Sequence, residues 1–91
     1  MYDITSTKKY RKDLKTIIKR RYDMALMDEV IGLLAAGKSL HEKHFDHALI
    51  GNWKGHRECH IQPDWLLIYK IENNTLVLTL TRTGTHADLL E

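Results

Sequence analysis

A chain of 91 residues and 10.7 kDa is expected to form one domain spanning residues 1–91, with a thin core burying about 60 to 65 percent of its unfolded surface. That leaves room for a shallow cleft rather than a deep pocket. At 43% hydrophobic and 29% charged, with one proline and five glycines, the composition excludes disordered and fibrous classes. The net charge of +2 conceals a segregation: residues 1–22 carry eight Lys or Arg against two Asp, a balance of +6 that leaves −4 for the rest.

Residues 2–6, with β-branched Ile4 and Thr5, predict a short first strand, and Ser6 or Thr7 then suits a helix N-cap. From residue 8 to 22, Tyr10, Leu14, Ile17, Ile18 and Tyr22 form one helical stripe, with lysines and arginines on the other face. A second helix follows from Met24, Leu26, Met27, Val30, Ile31 and Leu34, and Gly37 stops it. Residues 38–51 lack a period and are rich in histidine and charge, which predicts a long loop of the kind that tends to be functional. Residues 53–61, 65–71 and 76–83 have strand character, with Pro63 between the first two and Asn73-Asn74 as a turn between the last two. The expected architecture is an α+β fold of two layers, β-α-α-β-β-β. Two helices pack on an antiparallel sheet whose other face is partly open, and a short turn or helix ends the chain.

No apolar run approaches the roughly 20 residues of a membrane span, and Met1-Tyr2-Asp3 opens no signal peptide, so a cytoplasmic protein without membrane contact is expected. The lone Cys59 allows no internal disulfide and no Cys-x-x-Cys zinc pair. His41, His44 and His47 resemble a ligand cluster, but their spacing completes no metal motif, so no metal or cofactor is expected. The cations Lys8, Lys9, Arg11, Lys12, Lys15, Lys19, Arg20 and Arg21 are candidates for phosphate contact, the alternative being a merely solvated face.

Chemistry concentrates in His60-Ile61-Gln62-Pro63-Asp64-Trp65 and Arg82-Thr83-Gly84-Thr85-His86. Antiparallel pairing of the last two strands would bring the end of the third back to the turn carrying Asp64. Imidazoles, a carboxylate and a guanidinium beside an indole make an inventory for cutting RNA without a metal, with the 2′-hydroxyl of the substrate as nucleophile. Taken singly, each has a bland reading: Trp65 as core, Asp64 as turn residue, His60 as solvent-facing, Arg82 as half of an ion pair and Thr85 as a cap before His86.

The segment Gly51-Asn52-Trp53-Lys54-Gly55-His56-Arg57-Glu58-Cys59-His60-Ile61-Gln62-Pro63-Asp64-Trp65-Leu66-Leu67-Ile68-Tyr69-Lys70, followed by Arg82-Thr83-Gly84-Thr85-His86, resembles the YafQ subfamily of RelE/ParE-superfamily toxins. The match is close over the C-terminal half, and the N-terminal half agrees in layout and basic character. The resemblance implies a RelE-like fold and the toxin of a type II toxin–antitoxin system, an endoribonuclease that cleaves mRNA in the ribosomal decoding site. It further implies a cognate antitoxin of DinJ/RelB type, with ribosomal RNA and mRNA as partners. By position it implies catalytic roles for His47, His60, Asp64, Arg82 and His86. His86 would be the acid, Asp64 with His47 or His60 the proton-accepting set, Arg82 the phosphate stabiliser and Trp65 a support or stacking surface. Leu90 stands where such toxins can place a phenylalanine, and leucine cannot stack on a base. The basic helix would dock on ribosomal RNA. Two other readings are a ParE-like relative that binds a protein target and a non-catalytic RNA-binding module.

Overall fold

A computed structural model describes residues 1–89. The elements are β1 (Asp3–Ser6), α1 (Lys8–Lys19), α2 (Met24–Ala35), β2 (His47–Ala48), β3 (Arg57–Gln62), β4 (Trp65–Glu72), β5 (Val77–Gly84) and α3 (His86–Leu89), with 3-10 turns at Glu42–His44 and Gly51–Trp53. Thr7 caps α1: its hydroxyl oxygen accepts from the Tyr10 amide at 3.0 Å and its hydroxyl donates to the Thr81 carbonyl at 2.7 Å, tying the helix start to β5. Asp23 caps α2 through the Ala25 amide. Gly37, at φ +75°, ends it in the left-handed conformation expected of a glycine there.

The strands form one sheet in the order β1-β5-β4-β3-β2. β3, β4 and β5 make the expected antiparallel meander, β1 adds parallel to β5, and β2 adds antiparallel to β3. Three sequence expectations shift. The first helix ends at Lys19 rather than 22, because Arg21 turns left-handed at φ 62°. The stretch from residue 53 is a 3-10 turn before it is a strand, since Gly51 and Gly55 both take positive φ. Leu76, read as a strand leucine, is in the left-handed turn at φ 55° and 52% exposed.

Tyr10 and Ile17 of α1 and Met27, Val30 and Leu34 of α2 pack against Cys59, Ile61, Trp65, Leu67, Tyr69, Leu78 and Leu80 of the sheet. The opposite face is less open than expected. Leu66 and Ile68 are buried beneath Leu49, Trp53 and Leu89, so β4 is covered on both sides from Trp65 to Tyr69. No helix among the described residues is long and apolar enough to cross a membrane.

At the base of the sheet the Trp65 indole N–H donates to the Thr83 hydroxyl at 3.0 Å, which donates to the Leu66 carbonyl at 2.7 Å. Thr83→Val keeps the shape and strands the buried indole N–H, which costs about 1 to 3 kcal/mol. Urea unfolding is expected to show a lower midpoint with unchanged slope, and an unshifted midpoint would count against this chain of bonds.

Candidate active site

Register decides which side chains share a face. His47 pairs with Glu58, Glu58 with Ile68 and His60 with Leu66, so His47, Glu58 and His60 stand on the face turned away from α1 and α2. The chain leaves β5 at Gly84, pressed against Asp88: a Cβ there would lie 2.9 Å from the Asp88 side chain. It turns straight into α3, which delivers His86 to the same face.

The tightest pairing joins the turn after β3 to the start of α3. Asp64 Oδ1 accepts from the His86 backbone N–H at 2.9 Å and from its Nδ1–H at 2.6 Å. The backbone bond first, and the ring bond second, hold the Asp64 carboxyl below the usual carboxylate range. Asp64 is therefore a fixed anion at neutral pH that locks the His86 tautomer and leaves its Nε2 outward. The His60 ring lies 5.5 Å from that of His86, edge to face. His47 is oriented from both sides: its Nδ1–H donates to the Phe45 carbonyl at 2.7 Å, and its Nε2 is 3.5 Å from Glu58 Oε1. Between His47 and the strand histidine sits Phe45, 4.7 Å from the first ring and 5.6 Å from the second. Beside this row, Leu49, Trp53, Glu58, Leu66, Ile68, His86 and Leu89 line a cleft of about 250 Å³.

The structure thus brings His47, His60, Asp64 and His86 into one row. Arg82 shares their face by register with Ile68, but its guanidinium turns to Asp13 of α1, with Nε at 2.7 Å and Nη2 at 3.1 Å from the carboxylate, which also accepts from the Thr83 amide. Trp65 is corrected: at 1% exposure, with Tyr22 against its ring and its N–H on Thr83, it supports the site from beneath and offers no stacking surface. Leu90 lies outside the described residues. All eight basic residues of this segment are exposed; among them Arg11 donates to the Ser6 carbonyl and Arg20 forms a two-bond pair with Asp88. That pair holds the Asp88 carboxyl far below the usual range, chiefly through the Arg20 guanidinium.

The three loop histidines do not converge on a metal. His41 Nδ1 accepts from the Lys43 amide, His44 Nδ1–H donates to the His60 carbonyl, and His47 serves the row. Among the described residues no group of three or more His, Cys, Asp or Glu could hold an ion. Burial pushes the Cys59 thiol up to about 12, which leaves it a protonated core residue without nucleophilic character. Sequence reasoning missed Glu58 and Phe45. It also missed Asp46, which accepts from Tyr69 Oη at 2.5 Å and Arg57 Nε at 3.3 Å and so pins the loop to the sheet. The readable signal was a lone phenylalanine in a polar loop.

The depressed Asp64 carboxyl has a defined sign in the linkage of stability to pH. Its contribution is complete above the unfolded value of about 3.9 and is lost as pH falls through the lower folded value. In His86→Ala the backbone N–H remains. A carbon-detected NMR titration is therefore expected to find Asp64 raised toward its ordinary value but still below it, and a complete return would show that the ring bond dominates.

A family model described as "Bacterial toxin of type II toxin-antitoxin system, YafQ" matches residues 2–91. The mRNA interferase toxin YafQ of Escherichia coli strain K12 is 42% identical over 88 residues, covering 96% of this chain and 94% of that protein. The crystal structure of the E. coli DinJ–YafQ complex contains a chain that superposes at a TM-score of 0.91 with 38% identity, over 100% of both chains. A metal-bound toxin from Helicobacter pylori superposes at 0.93 with 42% identity, over 99% of this chain and 100% of that one. Matched along nearly its whole length at this identity, the chain belongs to the YafQ family of bacterial type II toxin–antitoxin toxins.

Proposed function

We propose that this toxin is an endoribonuclease that cleaves mRNA in the decoding site of the ribosome, without a metal, and is held inactive by an antitoxin of DinJ type. The observation that carries the reading is the Asp64–His86 pair with a second imidazole 5.5 Å away on the same exposed face. Two imidazoles at that spacing can serve the two ends of one phosphodiester exchange. The name mRNA interferase borne by the E. coli relative supports the substrate, and the DinJ–YafQ complex supports the antitoxin.

The chemistry divides among the residues as follows. His47 or His60 takes the 2′-hydroxyl proton, O2′ attacks the adjacent phosphorus, and the P–O5′ bond breaks. His86 enters with Nδ1–H on Asp64 and gives its Nε2 proton to the departing O5′, leaving a 2′,3′-cyclic phosphate and a 5′-hydroxyl. His47 suits the accepting role because its Nδ1–H is fixed on a carbonyl, which leaves the Nε2 lone pair available. Glu58, 3.5 Å from Nε2, then faces the positive charge that forms there. Arg82, preset by Asp13, neutralises the phosphorane, and Trp65 holds the turn carrying Asp64 from below. The exposed cations of α1, with Lys8, Lys9, Lys12, Lys15 and Lys19 in one stretch, bind ribosomal RNA phosphates without reading sequence. The Asp64–His86 pair with the imidazoles of His60 and His47 beside it, for which a purely binding protein has no need, favours this over a ParE-like target or a passive RNA-binding module.

Purified protein is incubated with ribosomes holding a defined message, and new 5′ ends are mapped by primer extension. Wild type is expected to cut in the decoding site, and His86→Ala to cut about 10²- to 10⁴-fold more slowly with ribosome binding intact. Equal cleavage by both would remove His86 from the mechanism, and binding without cleavage by wild type would leave the binding-module reading. Combining Lys8→Glu, Lys12→Glu, Lys15→Glu and Lys19→Glu is expected to weaken ribosome affinity and flatten its salt dependence. Unchanged affinity in a sedimentation assay would dissociate α1 from docking.

A further inference from the structure

Phe45 is the one phenylalanine of the chain, it is 63% exposed, and it has no place in the hydrophobic core. Its backbone lies in the left-handed region at φ 46° and ψ 48°, where a bulky side chain is seldom found and where strain tends to mark functional sites. Strain at an exposed apolar ring is retained when the surroundings impose it, and here they do so on both sides. His44 is tied to the His60 carbonyl at 2.7 Å, Asp46 is tied to Tyr69 and Arg57, and the Phe45 amide donates to the Glu42 carbonyl at 3.0 Å. The ring so held touches His47 and His60, the two alternative proton acceptors, and its carbonyl fixes the His47 tautomer.

We propose that Phe45 is the stacking platform for an unpaired nucleobase of the message, next to the scissile phosphate. This deepens the nuclease reading and rests on it. A phosphate lying over His47, His60 and His86 carries its neighbouring base toward the exposed ring. A rigid aromatic in that place orders a flexible single strand, and it does so without regard to sequence because every base has a π-face. The buried Trp65 cannot do this, whereas Phe45 supplies an exposed aromatic surface.

The test uses ribosomes carrying a message with 2-aminopurine on either side of the cut and a 2′-deoxy sugar at the attacking position, so that binding is read without cleavage. Asparagine tolerates the left-handed conformation, so Phe45→Asn removes the ring and keeps the turn, which thermal unfolding confirms. Wild type is expected to quench one 2-aminopurine, Phe45→Asn to lose the quench and Phe45→Trp to regain it. On an all-ribose message Phe45→Asn is expected to raise KM by roughly ten-fold or more, with a smaller change in kcat. Unchanged quench and KM in Phe45→Asn overturn the proposal. So does a fall in kcat alone, which would make Phe45 a spacer between histidines, or a defect confined to antitoxin binding. Failure of wild type to cut the all-ribose message defeats the nuclease reading separately, because the quench needs no cleavage.

Discussion

Everything in this fold hangs on β4 being buried on both faces. From Trp65 to Tyr69 no side chain reaches solvent to any extent, although the strand belongs to an antiparallel sheet, where one wet face is the common arrangement. In a chain of 91 residues such double coverage is obtained by a division of labour. The two long helices cover one face, and short irregular pieces cover the other: the 3-10 turn at Gly51–Trp53 and the single turn of α3. Those pieces are too small to seal the sheet, and the cleft they leave is bordered by the histidine row.

The same constraint places the chemistry. A sheet face covered by a helix offers no access to a polymer, and one fully open to water would give the histidines no fixed orientation. The partly covered face avoids both extremes. Its polar residues are held by bonds to backbone or carboxylate: His86 by Asp64, His47 by the Phe45 carbonyl, and the loop itself by Asp46 on Tyr69. Burial pushes the Tyr69 hydroxyl well above its usual range, with the Asp46 bond adding to the effect, so it remains a donor to that carboxylate. Pre-orientation of this kind is what a proton exchange between side chains requires.

The legible parts of the sequence were those whose signal is local. The α1 stripe is periodic, the Asn73-Asn74 turn is made by its own residues, and the meander from β3 to β5 follows from short connections. The parallel addition of β1 to β5 and the two residues of β2 are defined by their partners, and nothing in Asp3–Ser6 or His47–Ala48 says which strand they will meet. Trp65 divided the two levels most clearly. Its place in the motif was plain, while its burial depended on Tyr22 and Thr83, which sequence spacing does not bring near. Arg82 is similar: its position was readable, and its grip on Asp13, 69 residues earlier, was not.

Charge segregation gains a physical reason from this geometry. The exposed lysines of α1 lie on the outside of the helical layer, and the histidine row lies on the far face of the sheet. On the proposed reading, anchoring and cutting surfaces therefore do not compete for the same phosphates. If the cations stood beside the histidines, nonspecific phosphate binding would occupy the site wherever RNA was abundant, since the attraction is sequence-independent and strong at low salt. Instead the site is bordered by two ion pairs, Arg82 with Asp13 and Arg20 with Asp88, and by the Asp64 carboxylate bonded to His86. On the proposed reading, a strand is cut once the α1 cations have fixed the protein on a larger RNA that presents it. That makes dependence on a docking partner a consequence of where the charges sit in the fold, before any specific contact with the partner is considered.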